Sequence, residues 1–159
     1  MSRTYIAYGS NLNLEQMHYR CPGSELMGTG VIHDYALQFR GSARGAHATI
    51  VPKEGSTVPV AIWSLGKRDE RMLDCYEGYP NYYFKKMLPV QMGEDVVIGM
   101  AYIMDQRMDF GVPSRHYVDV VRQGYVDCGL DTKVLDQAVH DSVEMAQPRL
   151  EAMQGMKMY

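Results

Sequence analysis

Short, mostly apolar segments recur through the first two thirds of the chain, and one of them, Val58–Leu65, loosely alternates apolar and polar residues, a pattern typical of β-strands. Seven segments are rich in β-branched and aromatic residues: Thr4–Ala7, Leu26–His33, Tyr35–Arg40, His47–Val51, Val58–Leu65, Tyr82–Met92 and Val96–Met104. Gly93-Glu94-Asp95 joins the last two and has the composition of a hairpin turn. So many strands in a small domain predict a curled sheet or a barrel.

Helical spacing of apolar residues predicts four helices: Leu14–Arg20, Lys67–Tyr76, Arg115–Cys128 and the segment that follows Asp131. Asn13, Ser114 and Asp131 precede three of them and are good N-cap residues. The helical pattern dissolves from Gln147, and we expect Met153–Tyr159 to fray. The sequence therefore predicts an α+β fold in one domain, residues 1–159, with a core at about 4–146 and a tail at 147–159.

Length and charge exclude several classes of protein. The chain has 159 residues, 46% of them hydrophobic, which suits a single core. Nineteen acidic and sixteen basic residues give a net charge of -3 without a Lys/Arg cluster, so nucleic acid is not expected as a partner. The longest apolar stretch, Val96–Met104, is far shorter than the ~20 residues that cross a bilayer, and no apolar signal core follows the first residues. We expect a cytoplasmic protein without membrane contact.

Cysteine and histidine are too dispersed to predict a disulfide framework or a metal site. Cys21, Cys75 and Cys128 lie far apart in the sequence, and we expect buried, reduced thiols. The five histidines form no pair at metal-ligand spacing with a nearby carboxylate. No metal site is therefore expected.

The segment Tyr8-Gly9-Ser10-Asn11 follows the first predicted strand and precedes a helix. Gly9 permits a positive φ and close approach of a ligand, and the amide groups of Gly9, Ser10 and Asn11 are free at the helix entrance. Such amides bind an anion or stabilise an oxyanion. The alternative is an ordinary turn in which Ser10 and Asn11 merely cap the helix.

Glu77 ends a predicted helix directly before Gly78, where the negative end of the helix dipole disfavours an acid. Burial among Tyr76, Tyr79 and Tyr82 would raise its pKa and make it a general base. The alternative is a solvated carboxylate at a helix end. Asp74, three residues earlier, is expected on the exposed face of the same helix.

Four motifs occur together and in order along the chain. They are Tyr8-Gly9-Ser10-Asn11 after a strand, Ala48-Thr49-Ile50 after a Gly-rich approach, Leu73-Asp74-x-x-Glu77-Gly78, and Pro113-Ser114-Arg115-His116-Tyr117 at a helix start. In this combination the chain resembles the γ-glutamylcyclotransferase-like family over roughly residues 5–130. The joint occurrence of the turn and the acidic motif is far more specific than either one alone.

The resemblance implies a small mixed β-barrel of six to seven strands with helices packed outside. It implies an enzyme that needs no cofactor and releases 5-oxoproline from a small γ-glutamyl substrate, an acyltransferase or lyase reaction in which the substrate's α-amine attacks its own γ-carbonyl. Glu77 corresponds to the family's general base. The positions implied to bind substrate are Tyr5, Ile6, Ala7, Tyr8, Gly9, Ser10, Asn11 and Tyr117.

Three alternatives remain open at the level of sequence. The leaving group is an amino acid or an amine, and the segments expected to select it are 41–47 and 79–83. A non-catalytic small-ligand or interaction domain has the same fold but no need for Glu77. An acyl transferase or hydrolase with Ser10 as nucleophile lacks a G-x-S-x-G elbow and a recognisable His/Asp relay.

Overall fold

The computed structural model describes residues 2–157 as a closed five-stranded barrel. The strands are β1 (Arg3–Ala7), β2 (Glu25–Arg40), β3 (His47–Leu65), β4 (Phe84–Met92) and β5 (Asp95–Ile103). Their order is β1-β3-β2-β4-β5, and the sequential neighbours in it are antiparallel. A parallel pairing at Tyr5 and Met100 joins β5 to β1 and closes the mixed barrel. The predicted α+β barrel is confirmed, with five strands instead of six to seven.

The lower strand number results from the length of β2 and β3. Each contains two of the predicted segments, because the β2–β3 ladder continues across an irregularity between His33 and Tyr35. Asp34 adopts a φ of 61° at that point, and its Oδ1 accepts a hydrogen bond from the Gly55 amide at 2.9 Å. Such an irregularity bends a strand without ending it.

Four α-helices pack around the barrel: α1 (Leu14–Arg20), α2 (Lys67–Glu77), α3 (Arg115–Asp127) and α4 (Thr132–Lys157). A short 3₁₀ turn, Ser10–Leu12, joins β1 to α1. The predicted caps of α1 and α3 are present, since the Asn13 and Ser114 side chains accept from the amides of Gln16 and Tyr117 at 3.0 and 3.1 Å. None of the helices within residues 2–157 is both long enough and apolar enough to cross a membrane.

The end of α4 differs from the expectation that the helix dissolves from Gln147. The helix continues to Lys157, and the Arg149 guanidinium donates to the carbonyl oxygens of Gly41 and Phe110 at 2.8 and 3.1 Å. Residues such as Leu, Glu, Ala, Met and Gln favour helix intrinsically, so α4 extends without a regular apolar stripe. The expected fraying is wrong for residues 153–157, and Met158 and Tyr159 lie outside the described residues.

Helix α3 packs unusually closely against the 3₁₀ turn and so fixes it in position. A Cβ atom at Gly124 would lie 2.5 Å from the Asn13 amide nitrogen and 2.6 Å from the Leu12 carbonyl carbon. The Asn13 side chain also donates to the Val120 carbonyl at 3.1 Å. Since β1 leads directly into this turn, barrel and α3 together hold the Tyr8-Gly9-Ser10-Asn11 segment.

Candidate active site

A cleft of about 560 Å³ opens where the barrel meets α1, the end of α2 and the start of α3. Its lining consists of Ser10, Gln16, Arg20, His47, Cys75, Tyr76, Glu77, Gly78, Tyr82, Tyr83, Ser114, His116, Tyr117 and Val120. This volume lies in the range of small-molecule sites.

A much smaller inner chamber, about 30 Å³, adjoins the cleft. Its lining consists of Tyr5, Tyr8, Gly9, Ser10, Asn11, Ala48, Glu77, Tyr83, Tyr102 and Tyr117. Four of these residues, Ser10, Glu77, Tyr83 and Tyr117, line both spaces. The chamber is about the size of one water molecule, so it suits a single polar group of a ligand.

Glu77 stands between the cleft and the inner chamber. It is the last residue of α2, and Gly78 ends the helix in the left-handed conformation at a φ of 64°. Burial raises the pKa of the Glu77 carboxyl to about 7, although the Arg20 charge and the Asn11 hydrogen bond both oppose the shift. A carboxyl with this pKa exchanges protons near neutral pH.

Asn11 connects Glu77 to the barrel and to α1. Its Nδ2 donates to Glu77 Oε1 at 3.3 Å and to the Tyr5 hydroxyl at 2.9 Å. Its Oδ1 accepts from Arg20 Nη1 at 3.0 Å, and the Arg20 guanidinium lies over the Tyr76 ring at 4.6 Å. The Asn11 amide is therefore oriented with its donor side towards the carboxylate.

The tyrosines that surround Glu77 are largely not those expected from the local sequence. Tyr76 and Tyr79 are 46% and 39% exposed, so neither shelters the carboxylate as predicted. The inner chamber is instead walled by tyrosines from other elements: Tyr5, Tyr8, Tyr83, Tyr102 and Tyr117. Burial raises the pKa of each of these hydroxyls, which therefore stay neutral near pH 7.

Asp74 is half-buried and does not lie on a free face of α2 as expected. Its Oδ1 accepts from the Tyr102 hydroxyl at 2.6 Å and lies 2.9 Å from Lys85 Nζ. Tyr102 is part of the chamber wall, and its carbonyl accepts a hydrogen bond from the Tyr8 hydroxyl. Asp74 thus anchors the end of α2, and with it Glu77, to the barrel.

The turn lies against the inner chamber, as its predicted role requires, but Gly9 is not at positive φ. Its φ is -124°, and a Cβ at this position would make a tight contact of 3.2 Å with Ala48 Cβ. Within residues 2–157, the amides of Gly9, Ser10 and Asn11 donate to no other residue. They remain available to an anionic oxygen.

The other predicted binding residues divide into two groups. Tyr5, Tyr8, Ser10, Asn11 and Tyr117 all line the chamber, and the Tyr117 hydroxyl accepts from the Ala48 amide at 3.1 Å. Ile6 and Ala7 are buried in the barrel core, and their side chains line neither the chamber nor the cleft.

Sequence reasoning missed Arg20, Tyr83 and Tyr102 as individual site residues. Arg20 reads as an ordinary basic residue in the last turn of α1, where it complements the helix dipole. Tyr83 lies in a segment expected only to select the leaving group, and its hydroxyl donates to the Ala48 carbonyl at 2.7 Å. Tyr102 belongs to β5, and only the order of strands in the barrel brings it near Glu77.

Two other kinds of site, a metal site and a serine nucleophile, were also considered from the sequence. His140, Asp141 and Glu144 bring ligand atoms within 4.8 Å of one another, so the expectation that no histidine neighbours a carboxylate is wrong. All three are exposed on α4, and they line neither the cleft nor the inner chamber. In the described part of the chain, the Ser10 hydroxyl forms no hydrogen bond to a histidine or carboxylate, which disfavours a serine nucleophile.

The cysteines only partly follow expectation. Cys21 is buried and Cys128 is half-buried, but Cys75 is exposed and lines the cleft two residues before Glu77. All three are free thiols.

The chain is similar in sequence and in fold to known proteins. The sequence model described as "Gamma-glutamyl cyclotransferase, AIG2-like" matches residues 5–119. Proteins named gamma-glutamylcyclotransferase from Homo sapiens and Mus musculus are 27% and 29% identical over 136 and 134 residues, each alignment covering 79% of this chain and 71% of the relative. A solved structure named gamma-glutamyl cyclotransferase superposes with a TM-score of 0.79 at 26% identity, over 87% of this chain and 86% of that one.

Proposed function

Because the chain belongs to the gamma-glutamyl cyclotransferase, AIG2-like family, we propose that it releases 5-oxoproline from γ-glutamyl amino acids or amines, with Glu77 as general base. The observation that carries this proposal is the position of Glu77 between a substrate-sized cleft and a polar inner chamber, with burial raising its pKa to about 7.

The proposed reaction starts with a proton transfer from the substrate's α-ammonium group to the Glu77 carboxylate. The free amine then attacks the γ-carbonyl carbon, the new C–N bond closes the five-membered lactam, and the bond to the departing nitrogen breaks. The ammonium group loses two protons in becoming the lactam N–H: Glu77 returns one of them to the departing nitrogen as its bond to carbon breaks, and the other passes through Glu77 to the released amine, which leaves as an ammonium group and restores the Glu77 carboxylate. The products are 5-oxoproline and a free amine or amino acid.

The raised pKa of Glu77 favours the first step of this reaction. A hydrated Glu and an α-amino group have pKa values about 3.5 units apart, which corresponds to ~5 kcal/mol for proton transfer. With the pKa of Glu77 at about 7, the mismatch with an amine near 8 falls to about one unit, or ~1.4 kcal/mol. Burial thus turns an acid into an effective base for this substrate.

The free amides of the turn supply the second part of the proposed machinery. Gly9, Ser10 and Asn11 face the chamber, where they bind one anionic oxygen of the substrate, either its α-carboxylate or the oxygen that gains charge as the ring closes. Because nucleophile and electrophile belong to one molecule, binding in a folded pose supplies much of the rate acceleration.

The test is 5-oxoproline formation from γ-glutamyl-alanine by the wild type and by Glu77→Gln. Gln keeps the shape and the hydrogen bond from Asn11 but cannot take up the proton, so kcat should fall about 10²–10⁴-fold. Substrate affinity, measured by calorimetry, should change little. Glu94→Gln is the matched control, because Glu94 is an exposed residue of the β4–β5 turn.

Two results would contradict the proposal. Near-normal turnover by Glu77→Gln would remove Glu77 as the base. Tight binding of γ-glutamyl compounds by the wild type without any 5-oxoproline would favour the non-catalytic small-ligand domain of the same fold.

A further inference from the structure

His47 and Tyr82 line the cleft, and neither takes part in the proposed reaction. The two side chains nevertheless contact each other in a defined geometry. His47 Nδ1 lies 2.9 Å from the Tyr82 hydroxyl, and the two rings meet edge to face with centroids 5.7 Å apart. The His47 ring also packs edge to face against Tyr117 at 5.0 Å. Neither His47 nor Tyr82 lines the inner chamber.

Tyr82 is held rigidly on the same turn as Glu77. Its amide donates to the Gly78 carbonyl at 2.8 Å, directly after the end of α2, and its ring packs edge to face on Tyr83 at 5.1 Å. Its hydroxyl lies so close to the loop after β2 that a Cβ at Gly41 would be 2.5 Å from it. A side chain fixed on several sides recognises a ligand with little loss of conformational entropy.

The substrate's orientation follows from the size of the two spaces. The inner chamber has room for one small polar group, and Glu77 must face the α-amine at its entrance. The γ-glutamyl end therefore occupies the deep part of the site, and the departing group must extend into the wider cleft. His47 and Tyr82 line that cleft without reaching the chamber.

The charges that face the cleft limit the kind of group it accepts. Among the described residues that line it, Glu77 is the one carboxylate, and it is engaged with the α-amine in the proposed reaction. Arg20 adds a positive charge, whereas burial lowers the pKa of His47 and keeps its imidazole neutral near pH 7. A second positive charge on the substrate would find no free carboxylate among these residues.

We propose that His47 and Tyr82 form the leaving-group subsite and favour γ-glutamyl compounds whose departing amine carries an aromatic or large apolar group over those that carry an extra positive charge. This inference rests on the proposed function. The two rings meet at a right angle and offer aromatic surface to the departing group, and their hydrogen bond holds both rings in place.

The experiment compares kcat/KM for three substrates: γ-glutamyl-phenylalanine, γ-glutamyl-alanine, and lysine acylated on its side-chain amine by a γ-glutamyl group. We expect the wild type to prefer the phenylalanine compound over the alanine compound by about 10–100-fold, and to use the lysine compound least. His47→Ala should lower the phenylalanine-to-alanine ratio at least about fivefold, because the phenylalanine compound loses more from removal of the ring than the alanine compound does.

Two further variants separate recognition from folding. His47→Phe restores an aromatic ring and should recover most of the ratio, whereas Tyr82→Phe removes only the hydrogen bond and should give an intermediate ratio. His33→Ala and Tyr19→Phe are matched controls at exposed positions outside the cleft and should leave the ratio unchanged. Thermal melting of every variant identifies those that unfold.

The outcomes are distinct. An equal fractional loss for all three substrates in both His47→Ala and Tyr82→Phe would indicate a merely structural role and overturn the inference. A wild-type preference for the lysine compound would overturn the charge argument. If the wild type forms no 5-oxoproline from any substrate, the proposed function fails, and this inference fails with it.

Discussion

The environment of the Glu77 carboxyl is formed by residues that are distant in the sequence. The position of Glu77 at the end of a helix, before Gly78, could be read from the sequence, but its surroundings could not. The local tyrosines Tyr76 and Tyr79 remain exposed, whereas Tyr5 and Tyr117 come from the first strand and the third helix. Sequence spacing predicts which residues share a helix face, and it carries no information on which strands meet in a closed barrel.

Gly9 leaves little space for a side chain beside Ala48. Gly9→Ala should lower kcat/KM by about 10–100-fold, because the added methyl group would lie only 3.2 Å from Ala48 Cβ and displace the turn amides. The measurement is steady-state 5-oxoproline formation. Gly155→Ala, where nothing lies within 4 Å of the new Cβ, serves as the control, and a Gly9→Ala enzyme with unaltered kinetics would exclude Gly9 from the site.

At the scale of elements, helix starts were the most predictable feature. Asn13 and Ser114 cap α1 and α3 as their side-chain chemistry requires. The strands were predicted in the right places but divided too often, because polar residues such as Lys53, Glu54 and Ser56 interrupt the pattern without ending β3. A ladder that continues past an irregularity leaves the same local pattern as two short strands.

The contact between α3 and the 3₁₀ turn permits a sharp test of element packing. Gly124→Ala should lower the free energy of unfolding by about 1–3 kcal/mol, because its methyl group would overlap the backbone of Leu12 and Asn13. Urea denaturation measures the change. Gly155→Ala, on the open side of α4, should instead stabilise the protein by up to about 1 kcal/mol. Equal stability of Gly124→Ala and wild type would show that the two elements separate easily.

At the scale of the whole molecule, the buried carboxylate has a cost in stability. Its pKa is about 7 in the folded chain and 4.5 in the reference state, so the folded protein binds more protons between these values and loses stability as the pH rises. The full shift corresponds to at most ~3 kcal/mol, and partial exposure of Glu77 reduces it. The cost is absent below pH 4.5 and complete above pH 7.

Glu77→Gln removes this titration and should therefore stabilise the protein at alkaline pH. We expect Glu77→Gln and wild type to have similar free energies of unfolding at pH 4.5, and the variant to be more stable by about 1–3 kcal/mol at pH 8. Urea unfolding at the two pH values checks this difference. If the variant and the wild type differ in free energy of unfolding by the same amount at both pH values, burial does not raise the pKa of Glu77.

The fold class and the proximity of the turn to Glu77 were thus predictable from the chain, whereas the closed strand order and the enclosure of the chamber were not. The order depends on pairing between β1 and β5, which lie far apart in the sequence. Such long-range contacts leave no local signal, and they form slowly in folding.

The parallel pairing of β1 with β5 also determines when the barrel and the inner chamber can close during synthesis of the chain. Residues 8–11 leave the ribosome early, whereas the other chamber residues Glu77, Tyr102 and Tyr117 follow them in the sequence only much later. Without β5 the barrel cannot close, and without β5 and α3 the chamber around Glu77 lacks Tyr102 and Tyr117. The chamber is therefore enclosed late, when β5 pairs with β1 and α3 follows.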